Sequence, residues 1–248
     1  GPSLLTMPDV IDDLFEYIGL NRHDYLEFVP IDPICRYFWS DGTTIDATAN
    51  ASEMTLRLKA LSEEDAASYQ LFSNYTKRIY DMTADIFVYS PLHEIRNLMN
   101  WRTFVKLLSI HRIDPFRTMD QGIRRFFQHK KVVQLFNRYA TYNGSNPFQA
   151  PATLNIIPHV EFGLGSYYIK GGMYRLVEVL ERIARSFGVQ IFQSTRIDEI
   201  VYHKNKVTGI KVNNTFIEAD YIVSNADVVT AYNKLIKGFG KRRKQLNK

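Results

Sequence analysis

Residues 171–188 constrain this chain more than any other stretch. Gly171-Gly172 opens them, and Met173, Leu176, Val177, Leu180, Ile183, Ala184 and Phe187 recur at helical spacing on one face. Glu178 with Arg182 and Glu181 with Arg185 stand at i, i+4 on the other face. Gly188 is the expected residue just past the helix end. Such a helix must bury its apolar face against another layer, and the following residues read as a sheet. Their pattern predicts strands over 189–192, 197–202, 207–212, 216–217 and 221–223, with turns at Lys204-Asn205-Lys206 and Asn213-Asn214. The last strand runs into Ser224-Asn225-Ala226-Asp227 and a further helix. Helix, strand, meander, strand, helix is the layout of one half of a nucleotide-binding α/β domain.

The residues before this part have a different character. Pro8-Asp9-Val10-Ile11-Asp12-Asp13-Leu14-Phe15 reads as a helix start, with proline and acids in the first turn, and Gly19 ends it. Arg36-Tyr37-Phe38-Trp39, then Asp41-Gly42, then Thr43-Thr44-Ile45 predicts a hairpin. From about residue 50 to 146 the pattern is helical. Asn50 or Ser52 caps one helix, and Ser62-Glu63-Glu64-Asp65 starts a long one that runs toward Tyr89. Trp101, Phe104, Val105 and Leu108 form an apolar stripe with Arg102, Lys106, His111 and Arg112 nearby, which fits either a core helix or one touching a membrane surface. Two more helices are expected near 118–127 and 130–142, and Asn143-Gly144-Ser145-Asn146-Pro147 is a turn. The fold class is therefore mixed α/β (α+β), a mostly helical region followed by a Rossmann-like part.

Composition closes several other routes. The chain has 248 residues, enough for one large domain or two small ones. Its +5 charge invites a nucleic-acid reading, but six basic residues and no acid lie in 237–248 and account for the whole excess. The body is near neutral, and a basic terminal stretch is mostly a solvated one. A single cysteine, Cys35, excludes a disulfide scaffold and a multi-cysteine zinc site, and fits a reducing compartment. The six histidines have no metal-ligand spacing, so no metal site is expected. His159-Val160-Glu161 matches half of a zinc-deaminase signature whose cysteine half is absent. No apolar run is long enough to span a membrane. There is no G-x-G-x-x-G, P-loop or G-x-S-x-G motif.

Three features carry chemical promise. Gly171-Gly172-Met173 stands at a strand-to-helix junction, where paired glycines let backbone approach a ligand and the helix start favours electron-rich groups. Asp114 and Arg117 flank a helix start, either as a cap with a surface arginine or as a charged pair beside a pocket, available for proton handling. Thr153-Leu154-Asn155-Ile156-Ile157-Pro158-His159 suits a core or the wall of an apolar tunnel.

Read together, these segments resemble a known family. Gly1-Pro2-Ser3-Leu4-Leu5-Thr6-Met7-Pro8 and the block Tyr139-Ala140-Thr141-Tyr142-Asn143-Gly144-Ser145-Asn146-Pro147-Phe148-Gln149-Ala150-Pro151-Ala152-Thr153-Leu154 resemble bacterial-type phytoene (carotenoid) desaturases. Those enzymes are FAD-dependent and amine-oxidase-like. Gly171-Gly172-Met173, Gly188-Val189 and Ser224-Asn225-Ala226-Asp227 follow in that family's order. The resemblance implies an FAD cofactor, a carotenoid hydrocarbon substrate and desaturation by hydride transfer to the flavin. It implies a flavin-proximal segment and helix over 1–24 and a substrate-binding domain over 25–164 with a membrane-facing helical part. Part of the FAD-binding domain would then span 165–236, with a basic tail over 237–248. Gly1, Pro2, Ser3, Gly171, Gly172 and Met173 would lie near the flavin, Ile197 beside adenine, and Asn225 and Ala226 toward the nucleotide. Asp114 and Arg117 are the candidates for proton handling. The family's N-terminal G-x-G-x-x-G unit is missing from this sequence, so the chain reads as a central fragment, inactive alone and binding FAD weakly or not at all. A cytoplasmic protein held peripherally at a membrane is expected. The alternatives are a related carotenoid isomerase or saturase, or a non-catalytic α/β module with an apolar groove.

Overall fold

A computed structural model of the chain describes residues 4–87, 113–203 and 206–236. The chain divides into two compact units, Gly1–Arg182 and Ile183–Lys248.

In the first unit, β1 (Leu5–Thr6) precedes α1 (Pro8–Tyr17). Pro8 fits the first helical position because its missing N–H is not needed there, and Gly19, at φ 75°, turns the chain away. Strand β2 (Phe28–Pro30) follows. Both β1 and β2 pair antiparallel with β5 (Ser166–Ile169), a strand from late in the unit, with Leu5 opposite Tyr167 and Phe28 opposite Ile169. The start of β1 and the end of β5 therefore lie at the same end of the sheet, and Gly171-Gly172 emerges from that end. The hairpin forms as its sequence predicts: β3 (Cys35–Phe38) pairs with β4 (Thr44–Ala47). The turn has Gly42 at φ 84°, and the Asp41 side chain accepts the Thr43 N–H at 3.1 Å.

Helices build the rest of the unit. α2 (Ala51–Lys59) is capped by the Asn50 side chain, which accepts the Glu53 N–H. α3 (Glu63–Phe87) buries Tyr69, Phe72, Thr76, Ile79 and Thr83 at helical spacing. α4 (Met119–Ile123) starts in a capping box between Thr118 and Gln121. Asp114 is therefore not its cap. α5 (Lys130–Asn137) passes into a 3₁₀ segment, Arg138–Asn143. Both helices are shorter than the pattern predicts, and a buried carboxylate explains the break between them. Asp65 of α3 accepts the backbone N–H groups of Gln128 and His129, each at 2.9 Å. These donors need no helical partner, so the chain can turn there. The core is aromatic: Phe127 stacks on Phe136 at 4.9 Å, and Phe72 lies 4.6 Å from Phe136. Leu154, Ile156 and Ile157 pack against this cluster, which gives the 153–159 stretch a core role.

The division between units falls within α6 (Arg175–Ser186). Gly188 ends this helix at φ 83°, as expected, with its N–H on Arg185 and that of Val189 on Ala184. The buried face differs from the expected one. Val179 and Ile183 are buried, while Val177 is half-exposed and Phe187 exposed. Glu178 pairs backward with Arg175 at 2.9 Å. In the second unit, β6 (Glu199–His203), β7 (Lys206–Val212) and β8 (Thr215–Glu218) form an antiparallel meander. Asn213 and Asn214, at φ 48° and 65°, supply the primed turn between β7 and β8. The strands expected over 189–192 and 221–223 do not form among the described residues. A strand exists only with a neighbour for its ladder, and each meander strand has one while these segments do not. The helix expected after Asp227 begins as a short turn, with the Asp227 carboxylate accepting the Thr230 N–H at 2.8 Å.

The Trp101 stripe, the basic stretch 237–248 and Gly1, Pro2 and Ser3 lie outside the described residues. Among the described residues no helix is long and apolar enough to cross a membrane, and no cluster of His, Cys, Asp or Glu has the arrangement of a metal site.

Candidate functional site

The glycine turn is built from β5. The Gly172 N–H bonds back to the Ile169 carbonyl at 2.9 Å, and the Arg175 N–H bonds to the Gly172 carbonyl, so the strand turns directly into α6. Gly171 and Gly172 have φ of 88° and 106°, a region that side chains make costly. No atom lies within 4 Å of where a Cβ on Gly171 would sit, and only the Tyr168 hydroxyl, at 3.7 Å, approaches that point on Gly172. Two side-chain-free residues thus present bare backbone to open space at a helix start. Met173 is half-buried in the same turn.

Asp114 and Arg117 form the charged pair. The Asp114 side chain is buried and takes φ 56°, an uncommon conformation for a residue with a Cβ. Arg117 Nε donates to Oδ1 at 2.8 Å and to Oδ2 at 3.1 Å, and its side chain is partly exposed. The Asp114 pair also has a member that the sequence reading missed. Tyr75, on α3, donates its hydroxyl to Asp114 Oδ2 at 2.8 Å. Burial pushes the Tyr75 pKa well up, the Asn155 side chain pulls it back, and Asp114 adds to the rise. Tyr75 therefore stays protonated and remains a donor.

A second buried carboxylate, Glu161, sits in a π-helical turn, His159–Gly163. Its Oε1 accepts from Tyr139 Oη at 2.6 Å and Arg138 Nη2 at 3.2 Å, and Oε2 accepts from Tyr142 Oη. Arg138 Nε also donates to Tyr37 Oη at 2.8 Å, and its guanidinium lies 4.5 Å from the Tyr139 ring. Burial and Glu161 raise the Tyr142 pKa to about 12. Every oxygen of Glu161 is taken, so this cluster locks the 138–143 segment to the turn that leads into β5. His159 and Glu161 are thus structural, and the half-signature they form is a coincidence of spacing.

In the second unit, a cavity of about 470 Å³ is lined by Ile197, Ile200, Ile210, Tyr221, Asn225 and Ala226, among others. Ile197 and the adjacent pair Asn225-Ala226, far from it in sequence, are brought to one apolar pocket. Ile197 stands two residues before β6 rather than inside it. Asn225 and Ala226 are exposed, with the Ala226 N–H near Ser224 Oγ at 3.4 Å.

Comparison with known proteins sets these features in a family. Residues 1–245 match the family model for flavin containing amine oxidoreductases. A 4,4'-diapolycopene oxygenase of Methylomonas sp is 32% identical across 100% of this chain and 50% of its own length. A 1-hydroxycarotenoid 3,4-desaturase of Flavobacterium sp. is 32% identical across 96% of the chain and 48% of its own. A 4,4'-diaponeurosporene oxygenase of Staphylococcus aureus is 32% identical over 95% and 47%. The chain thus spans about half the length of the curated relatives it matches. Among solved structures, a putrescine oxidase variant described as a redesign of cofactor binding superimposes with TM-score 0.56. That match has 11% identity and covers 99% of this chain and 51% of that one, so it speaks for the fold alone.

Proposed function

The chain belongs to the flavin containing amine oxidoreductase family, and from that premise we propose that the protein carrying it oxidises an acyclic carotenoid by desaturation. The observation that carries the reading is the side-chain-free turn at Gly171-Gly172. It fits a planar cofactor laid against backbone, because a Cβ at Gly171 would project into open space. Gly171, Gly172 and Met173 would hold FAD on the side of its ring, and the pocket of Ile197, Asn225 and Ala226 would take the nucleotide end. Gly1, Pro2 and Ser3 would complete the flavin side. The functional division into 1–24, 25–164, 165–236 and 237–248 belongs to the same proposal.

Desaturation removes hydrogen from two adjacent carbons, one as hydride and one as a proton. A bound flavin supplies the hydride acceptor. The chain's own residues do the rest. The Asp114 carboxylate receives the proton, and the Arg117 guanidinium against it compensates its charge beside an apolar substrate. A hydrocarbon offers no polar handle, so apolar walls must orient it. The lipophilic substrate favours a cytoplasmic protein bound peripherally to membranes.

The test is purified natural protein that carries this sequence, incubated with phytoene or lycopene in phosphatidylcholine vesicles. Desaturation predicts a product lacking a pair of hydrogens and a longer polyene absorption. A second reading, oxidation at a chain terminus, is favoured by relatives named as oxygenases; it predicts a product that has gained oxygen. Protein that is folded, flavin-loaded and without effect on any acyclic carotenoid would overturn both.

A further inference from the structure

The hydrogen bond from Tyr75 to Asp114 is one link of a longer chain of contacts. Tyr75 is on α3, 39 residues before Asp114, and almost wholly buried. Beyond its hydroxyl lies Asn155, which is fully buried. Asn155 Nδ2 is 3.5 Å from the Met119 carbonyl, and its Oδ1 has no hydrogen-bond partner. The amide also acts on the Tyr75 hydroxyl. Gly122 of α4 is what allows this approach. A Cβ there would sit 2.9 Å from Asn155 Nδ2, closer than real contacts come, and 3.1 Å from Tyr75 Oη, close enough that the hydroxyl would have to shift. Amide, hydroxyl and carboxylate are therefore all buried and close together, and a methyl group on Gly122 would crowd the first two.

A fold has no packing reason to keep this arrangement. A phenylalanine would fill the space of Tyr75, and an apolar residue in place of Asn155 would avoid an unpartnered buried oxygen. What the arrangement does achieve is orientation. Asp114 sits in an uncommon backbone conformation, and Tyr75 and Arg117 grip its carboxylate from two sides. We propose that Tyr75 and Asn155 are positioning residues that hold the Asp114 carboxylate in its working orientation, with Gly122 as the space that admits them. The inference rests on the reading of Asp114 as the proton acceptor.

The experiment uses the natural protein and the acyclic carotenoid it turns over, comparing kcat, KM, melting temperature and flavin content. Asp114→Asn should lower kcat by about 100-fold or more. Tyr75→Phe keeps the ring and should lower kcat by about 10-fold with KM, flavin content and melting temperature unchanged. The double variant Tyr75→Phe with Asp114→Asn should lose no more than Asp114→Asn alone, because the hydroxyl acts only through the carboxylate. Gly122→Ala should mimic Tyr75→Phe by pushing the hydroxyl aside. If Asp114→Asn is crippled while Tyr75→Phe and Gly122→Ala keep wild-type kcat, the positioning role is wrong and the role of Asp114 stands. Additive losses in the double variant would also overturn the positioning role. Wild-type kcat in Asp114→Asn would overturn the reading on which it rests.

Discussion

The two units solve the problem of burial differently. In the first, a cluster of aromatic side chains faces inward: Phe72, Phe127, Phe136 and Tyr139 are within 1% of full burial, although Tyr17 and Phe116 of the same unit are exposed. Its buried carboxylates are hydrogen-bonded, Asp65 to two backbone N–H groups and Glu161 to two tyrosines and an arginine. In the second, Phe192, Tyr221 and Val223 are 73%, 91% and 97% exposed, on segments whose sequence reads as strand. Its sheet is a local meander, in which each strand finds its neighbour within a few residues. The contrast teaches that the first unit carries its own core. The second presents strand-like sequence that this set of residues leaves without ladder partners.

The largest expected effect strikes at the first unit. Phe136→Ala removes the ring at the centre of the aromatic cluster and should cost about 3–5 kcal/mol, read as a lower denaturation midpoint. A loss near zero would mean that the core is not where its stability resides. A smaller effect comes from His159, which is buried and in ring contact with Tyr80. Burial lowers its pKa, Lys77 lowers it further, and Asp81 opposes them. The folded state therefore keeps it neutral while the unfolded chain takes a proton below about pH 6.5. Its contribution is present above that pH and is lost as the pH falls through the lowered folded value. Urea midpoints at about pH 7.5 and 5.5 should differ in wild type, and His159→Phe should narrow the difference; an equal or wider difference contradicts the assignment. The smallest effect belongs to the second unit. Phe192→Ser should change stability by less than about 0.5 kcal/mol, because the ring already meets solvent. A cost comparable to that of Phe136→Ala would erase the distinction between the units.

The same contrast explains what is legible in the sequence. Features decided by neighbouring residues are plain. Asp41-Gly42, Asn213-Asn214 and Gly188 each need a positive φ that few residues accept, and each forms as its sequence implies. Asn50 caps because its side chain reaches an N–H three residues on. Features decided at a distance are hidden. Tyr75 lies in the apolar face of α3 and looks like one more packing aromatic; only the fold brings Asp114 to its hydroxyl. Glu161 looks like half of a metal motif until two tyrosines and an arginine gather around it. The break between α4 and α5 is expected from the local pattern, but the carboxylate that satisfies it, Asp65, lies more than sixty residues away. The strands over 189–192 and 221–223 mark the opposite limit: local pattern alone cannot make a ladder.

The central claim is that Gly171-Gly172 is the backbone cradle of a flavin. The measurement that tests it most directly is the visible spectrum of the natural protein, purified beside its Gly172→Val variant, with released flavin quantified after denaturation. At φ 106°, a branched side chain strains the turn and fills the space in front of it. The prediction is stoichiometric flavin in the wild type and little or none in a variant of unchanged helical content. Wild-type protein that is folded yet flavin-free, or a variant that keeps its full flavin, would contradict it.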